Sequence, residues 1–542
     1  MVDTVSRKSG ILNTEDIAQI TGRGTAAERV LEQIEILKSG VEPVRLIKPA
    51  TIGDGITALK DEEIDRLEAA YDHRRNSFRP LKFVPASGAA SRMFKSLIEL
   101  FDELTRRGGG KEEAMEEKRG GRGERERETV STLNDNIRSF AFTEDLARVM
   151  RLAGESLDRA LEARDWRLIL DYLLNPKGLN YARIPKGMVK LHRYPPGGTT
   201  RTAFEEHLVE AIHYARGSDD VARVHFTLPP NMENMVKEHL EDARSQYERE
   251  GVKLRISCSI QDPATDTIAV DVENAPFRDR AGRLLFRPGG HGALLHNLNE
   301  LREDGENRGD VIFIKNIDNV VPDRLKPTTL RYKKALGGYL MEIRDKVREF
   351  MSALSESAVD AVTIEKALQF CREMRFVEPE EGAGGESKGA AASYLKRVLN
   401  RPIRVCGVVR NAGEPGGGPF WIRKGDGEAS LQIVESAEVD LKDPSQLEVW
   451  RSGTHFNPVD IICSTTDYRN KPFDLFEFRD PGRFFISVKS SGGREVKVLE
   501  FPGLWNGGMA YWNTVFVEVP LTTFSPVKSV FDLLKEEHLP HG

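Results

Sequence analysis

Cysteine is scarce: the 542-residue chain has four, Cys258, Cys371, Cys406 and Cys463, far apart and with no C-x-x-C pair. That argues against a disulfide framework or a zinc site and suits a reducing cytoplasm. No run of 18 apolar residues occurs, so no membrane span is expected. The opening stretch MVDTVSRKSGILNTEDIAQI lacks an apolar core of signal-peptide length. Positive charge is not in excess either. The formal net charge is −6, which argues against a nucleic-acid partner and leaves room only for a local basic pocket. Two phosphate motifs are missing. No G-x-x-x-x-G-K-[ST] occurs, against a P-loop, and no G-x-G-x-x-G follows a strand with an acidic residue about twenty positions on, against a dinucleotide fold.

What is present is a chain of 39% hydrophobic and 30% charged residues, long enough for three to four domains or one large domain with insertions. Residues 1–75 read as helical, with AAERVLEQIEILKSG and DEEIDRLEAAYDHRR showing 3.6-type spacing. The segment 105–130 mixes charge and glycine with little to bury and reads as a mobile insertion; Glu378–Ala392 is a second flexible break. Strand-like runs lie at 222–228, 253–260, 311–317, 404–409, 430–436 and 513–519. Helical patterns lie between the early ones, one of them opening on a Thr202/Glu205 capping box, and residues 327–375 read as helical. The alternation predicts an α/β fold, a mixed and mostly parallel sheet flanked by helices, with ligands at the C-terminal strand ends. The expected parts are a helical N-terminal extension (1–75), an α/β core (76–325), a helical insertion and linker (326–394) and an α/β part completing the core (395–542).

Six stretches carry the chemistry. An apolar run enters Ser87-Gly88-Ala89-Ala90-Ser91-Arg92, small residues that let backbone N–H groups approach an anion at a helix start. Pro185-Lys186-Gly187, Gln261 and Pro288-Gly289-Gly290-His291-Gly292 follow. Asp318-Asn319 ends an apolar strand, and Lys528 follows Pro526. Each alone has an ordinary structural reading: a strand-to-helix turn, an exposed turn, a structural histidine, a helix cap.

In this order the set resembles the UTP–sugar-1-phosphate uridylyltransferases, the UDP-glucose and UDP-N-acetylhexosamine pyrophosphorylases. The whole chain resembles an uncharacterised bacterial domain-of-unknown-function family related to them. Ala86–Arg92 occupies the frame of that superfamily's A-G-G-x-G-T-R loop, Pro185–Gly187 its P-K-G, Pro288–Gly292 its P-x-G-[HN]-G and Asp318-Asn319 its D-N. Val519-Pro520-Leu521-Thr522-Thr523-Phe524-Ser525-Pro526-Val527-Lys528 matches the V-P-x-x-x-F-x-P-V-K of the UDP-glucose branch. Val434–Glu438 and Phe456–Asp460 resemble the sugar-side segments of the hexosamine branch.

The resemblance implies a GT-A-type nucleotide-diphosphosugar transferase fold and a Mg²⁺-dependent nucleotidyl transfer between a nucleoside triphosphate, UTP, and a sugar-1-phosphate, in the cytoplasm. By it, Arg92, Lys186 and Lys528 hold phosphates. Ser87, Gly88, Ala89, Ser91, Gln261, Gly290 and His291 bind the nucleotide. Asn319, Glu435 and Asn457 meet sugar hydroxyls. Asp318 holds the metal, with Asp460 as a second metal or sugar contact. The chain departs from the pattern in two places. Ala89 and Ala90 replace glycine and its neighbour, where a positive φ would be costly. A long insertion also separates Arg92 from Lys186. Gly413–Ser430 has no counterpart and reads as a hairpin or a lid. Two rivals stay open: a glycosyltransferase on the same fold, which leaves Arg92 and Lys186 less well explained, and a non-catalytic sugar-nucleotide-binding protein.

Overall fold

The computed structural model describes residues 11–106, 121–194, 198–248, 251–302, 305, 308–356, 359–377, 387–413, 416–423, 427 and 429–540. The chain passes back and forth between two units. Unit 1 is Met1–Phe83, Gln261–Ile314 and Arg331–Leu521; unit 2 is Val84–Ile260, Lys315–Leu330 and Thr522–Gly542.

Unit 1 is mixed α/β. Its main sheet runs, in spatial order, Thr51–Ile52, Gly55–Thr57, Asn513–Glu518, Ile403–Val408, Asp460–Ser464, Val311–Ile314 and Pro80–Pro85, the last running on into unit 2 at Val84. Asp460–Ser464 is antiparallel to both of its neighbours, and the other pairings are parallel. The central strands Ile403–Val408, Asp460–Ser464 and Val311–Ile314 are buried at every position. A strand covered on both faces tends to a continuous apolar run, as Val311–Ile314 shows; Asp460–Ser464, with polar residues at both ends, is not among the strand-like runs of the sequence. Phe83, Ile314, Val408, Ile461, Leu504 and Phe516, all 0% exposed, lie in the resulting core.

The segment read as a helical extension does more than extend. Thr14–Gly22 and Ala27–Ser39 are helices, but Leu46–Pro49, Thr51–Ile52 and Gly55–Thr57 are strands. Ile20, Val30, Ile34 and Leu37 share a core cluster with Ile268, Val270 and Leu499, and the Gln33 side chain accepts the Ile268 N–H at 2.9 Å. The helices Lys326–Leu354, Ala361–Glu373 and Lys388–Leu399 occupy the region read as a helical insertion; residues 378–386 of the flexible break lie outside the described residues. Gly417–Arg423 and Ala429–Glu435 pair antiparallel as a hairpin, with residues 414–415, 424–426 and 428 outside the described residues.

Unit 2 carries the parallel pair Val221–Leu228 and Lys253–Ile260 with the helices Ala203–Tyr214 and Glu233–Tyr247. The Thr202/Glu205 capping box forms: Thr202 N–H donates to Glu205 at 2.7 Å and Glu205 N–H to Thr202 Oγ1 at 3.3 Å. The insertion between Arg92 and Lys186 is largely helical, with Lys95–Arg106, Gly121–Asn136, Thr143–Leu152, Leu157–Glu162 and Trp166–Leu174. Phe94, Phe140, Phe142 and Tyr181 knit it together, Phe140 stacking on Phe142 at 4.9 Å. Of the segment read as a mobile insertion, residues 107–120 lie outside the described residues, and the chain is helical from Gly121. Among the described residues no helix is long and apolar enough to cross a membrane.

Candidate functional site

Two lysines of unit 2 converge on one carboxylate. Ala86 N–H donates to the Thr227 carbonyl at 3.0 Å, ending the apolar run beside a strand buried at every position but its first. The chain then turns through Ser87, Gly88 and Ala89 into the single helical turn Ala90–Arg92. Ala89 has φ −76° and ψ 147°, and no residue of Ser87–Arg92 has a positive φ. The alanines therefore sit in this loop without strain, and glycine is not required of them.

The insertion that follows Arg92 brings the chain back to its starting point. Ala90 N–H donates to the Ile184 carbonyl and Lys186 N–H to the Gly88 carbonyl, both at 3.0 Å, forming a bridge between Ala89 and Pro185. Lys186 is thereby clipped to the small-residue loop. Gly187 must be glycine because a Cβ there would lie 2.4 Å from the Phe204 ring.

Asp318 arrives from the other side. Ile317 N–H donates to the Pro85 carbonyl at 3.3 Å, and Val527 N–H donates to the Asp318 carbonyl at 3.0 Å. Asn319, expected to meet a sugar, is a staple: its Oδ1 accepts the Ser525 N–H at 3.0 Å, and it bridges Pro526. The stapled segment delivers Lys528. The ammonium groups of Lys186 and Lys528 stand 2.9 Å and 3.2 Å from the same Asp318 oxygen, Oδ2. Lys186 and Asp318 each have side chains 12% exposed, whereas Lys528 is 66% exposed.

The electrostatics follow from burial. Desolvation opposes the Asp318 charge, but the two lysines outweigh it and hold the carboxyl below the ordinary aspartate value. Burial lowers the Lys186 pKa against the pull of Asp318, with Lys528 adding to the lowering. A second carboxylate faces the pair: Asp532 accepts the Lys528 and Ser529 N–H groups at 2.8 and 2.6 Å and draws on Lys186. Arg92, exposed, stands on the turn that follows the bridge. Lys528 is the member best placed to exchange a carboxylate oxygen for another anion, because most of its side chain is already in solvent.

A second buried network, unreadable in the sequence, fastens the segment that carries Lys528. Glu206, 0% exposed, accepts from His192 Nδ1 at 2.9 Å, from Lys326 Nζ at 2.6 Å and from the Tyr194 hydroxyl. His192 Nε2 lies 2.9 Å from His538 Nδ1, and His538 Nε2 lies 3.2 Å from Ser525 Oγ. Burial opposes the Glu206 charge, but Lys326 and His192 prevail and bring its pKa down to about 2. Burial and the adjacent His192 push His538 down to about 3, so that ring is neutral. No local motif announces a histidine pair whose members are far apart in the chain.

The remaining residues singled out lie in unit 1. Gln261, 5% exposed, donates from Nε2 to the Gly290 carbonyl at 3.1 Å. Gly290, at φ 60°, caps the helix His291–Glu300. The turn is packed backbone to backbone: a Cβ on Gly289 would lie 2.5 Å from the Thr265 carbonyl oxygen. The His291 and Trp505 rings are 5.2 Å apart. Asn457 Nδ2 donates to Glu435 Oε1 at 2.9 Å, and burial raises the Glu435 pKa against that hydrogen bond. Asp460, expected as a second metal or sugar contact, is ion-paired with Lys333; the two side chains are 5% and 1% exposed.

A mixed α/β chain with a lysine-flanked aspartate beside a small-residue loop is the class defined here. The chain belongs to the family described as domain of unknown function DUF4301, which matches residues 13–539. No curated protein matches it. Among solved structures it is similar to the uridine diphosphate N-acetylglucosamine pyrophosphorylase of Trypanosoma brucei, with 14% identity, 97% of this chain and 78% of that one covered, and a TM-score of 0.45. It is also similar to a mutant UDP-glucose pyrophosphorylase of Leishmania major, with 11% identity, 93% and 74% coverage, and a TM-score of 0.41.

Proposed function

We propose that this chain is a nucleotidyltransferase on a GT-A-type fold, joining a sugar-1-phosphate to a nucleoside triphosphate, UTP, with release of pyrophosphate. A phosphate oxygen of the sugar-1-phosphate attacks the α-phosphorus, the bond from that phosphorus to the bridging oxygen breaks, and pyrophosphate leaves with the electron pair. No protein nucleophile is needed; positioning and charge neutralisation suffice. The observation that carries this reading is the meeting of Lys186 and Lys528 on one Asp318 oxygen, with Lys186 clipped to the Ser87–Arg92 loop.

In this reading backbone N–H groups of the loop and Arg92 hold the triphosphate, and Lys186 supports it. Lys528 leaves Asp318 for the phosphates as charge builds up in the transition state. Gln261, Gly290 and His291 are assigned to the nucleoside, Glu435 and Asn457 to the sugar. Asp318 fits a magnesium ion as a hard oxygen donor. Among the described residues no group of three acidic, histidine or cysteine side chains forms a dedicated metal cage, so its other ligands would be phosphate oxygens and water. Bound there, Mg²⁺ would supply charge neutralisation on the phosphates.

The test is a panel of nucleoside triphosphates against sugar-1-phosphates with Mg²⁺, read by pyrophosphate release. One pair should turn over. Tight binding of a UDP-sugar without release from any pair, or in the reverse direction, would replace this reading with a binding protein. Sugar transfer from a UDP-sugar to an acceptor would replace it with a glycosyltransferase.

A further inference from the structure

A cavity of about 790 Å³ opens within unit 1, between the helix Ala27–Ser39, the first turns of His291–Glu300 and the chain around Phe476–Pro502. That is the size of a small-molecule site. Its cations are mounted on aromatic rings: Arg29 lies 5.7 Å over Phe501, and Arg479 lies 5.1 Å over Phe476. Among the described residues neither guanidinium has a carboxylate partner. The His296 ring, 4.5 Å from Phe476, lines the same space. Burial first, then Arg29 and Arg479, lower its pKa against a weaker opposing pull from Asp262, so this end of the cavity has a positive field. Glu28 and Glu32 line the helix side and add polar acceptors there.

We propose that this cavity binds a small planar anion, an aromatic or conjugated ring bearing a phosphate or carboxylate, with the anionic group on Arg29 and Arg479 and the ring against Phe476 and Phe501. Guanidinium groups seated on aromatic faces are held in orientation before a ligand arrives, and an anion there gains charge-assisted hydrogen bonds. The proposal does not depend on nucleotidyl transfer, because Lys186, Asp318 and Lys528 belong to the other unit. The cavity also borders the Gly289–Gly292 turn: a Cβ on Gly292 would lie 2.9 Å from Phe501 Cβ.

The test titrates the full chain with phenyl phosphate, inorganic phosphate and phenol by calorimetry, following the His296 ring by NMR, with His296→Asn as the assignment control. Phenyl phosphate should bind at least about tenfold more tightly than either fragment and shift the His296 signals. Arg29→Gln and Arg479→Gln should each weaken it at least about fivefold, and Phe476→Leu should weaken it with the charge intact. The Lys186→Ala/Lys528→Ala double variant should leave it unchanged. Equal affinity for inorganic phosphate, retention in both arginine variants, or loss in the double lysine variant would each overturn the proposal.

Discussion

The candidate-site residues of the two units are paired differently. In unit 1 Gln261 donates to the Gly290 carbonyl, Asn457 to the Glu435 carboxylate and Lys333 to the Asp460 carboxylate. In unit 2 two ammonium groups compete for one oxygen of Asp318, and one of them is mostly in solvent. One-to-one pairing satisfies buried groups and stops there. A second ammonium on one oxygen, mostly in solvent, is free to turn to another anion.

The largest effect expected is from Asp318→Asn, which removes the shared anion at constant shape. Turnover should fall at least about ten-thousandfold, some 5 kcal/mol in barrier, while circular dichroism stays unchanged. Activity within about tenfold of the parent would make the two clusters equivalent and end the contrast.

Next is Glu206→Gln, which takes the buried carboxylate from Lys326 and leaves it Asp323 and the Val321 carbonyl; it should cost about 3 kcal/mol in urea unfolding. The same carboxylate gives a pH signature. Its folded pKa of about 2 lies below the unfolded value of about 4.3. Its stabilisation is therefore present above pH 4.3 and lost as pH falls towards 2, a slope that Glu206→Gln should flatten. An unaltered acid limb in the variant would show that the network does not carry that charge.

Lys528→Ala should lower kcat about a hundredfold, roughly 2.7 kcal/mol, with a smaller loss of nucleotide affinity. Lys186→Ala should act mainly on triphosphate binding. Because burial lowers the Lys186 pKa, its charge is lost at a lower pH than an ordinary lysine's. Triphosphate affinity should then decline on the alkaline side before the usual lysine value of about 10.4, and Lys186→Arg should carry that decline upward. Coincident alkaline profiles for parent and arginine variant would remove Lys186 from the triphosphate. The smallest effect is reserved for unit 1: Asn457→Ala should raise the KM for the sugar phosphate by up to about tenfold, one neutral hydrogen bond's worth, with kcat nearly unchanged. A larger loss in kcat there than in Lys528→Ala would invert the comparison.

The sequence displays the strand at 311–314 as an unbroken apolar run because both faces are covered, whereas Arg404 interrupts 403–408 and polar residues open and close 513–518. The short strands Thr51–Ile52 and Gly55–Thr57 have no such signature, since a two- or three-residue strand has no period to detect. The helix Gly121–Asn136 hides behind its charge: Val130, Leu133 and, just beyond it, Ile137 are buried at 2%, 1% and 2%, a stripe too sparse to stand out among arginines and glutamates. Asp318, Lys186 and Lys528 are each readable from local motifs; their convergence on one oxygen is not, because it depends on a helical insertion returning to its origin. The His192–His538 contact and the Lys333 partner of Asp460 are long-range pairings between residues that look ordinary where they stand.

The Lys528 contact also sets an order of events during synthesis. Lys528 lies 210 residues after Asp318. At about 5–20 residues per second, a ribosome needs some 10–40 s to cover that interval. Throughout it the emerging chain carries Asp318 and Lys186 but lacks Lys528 and the Ser525 and Val527 contacts that fasten its segment, so the cluster closes only near the end of synthesis. Chains stalled just before Lys528 should release no pyrophosphate, and pyrophosphate from such stalled complexes would show that Lys528 is dispensable to the chemistry.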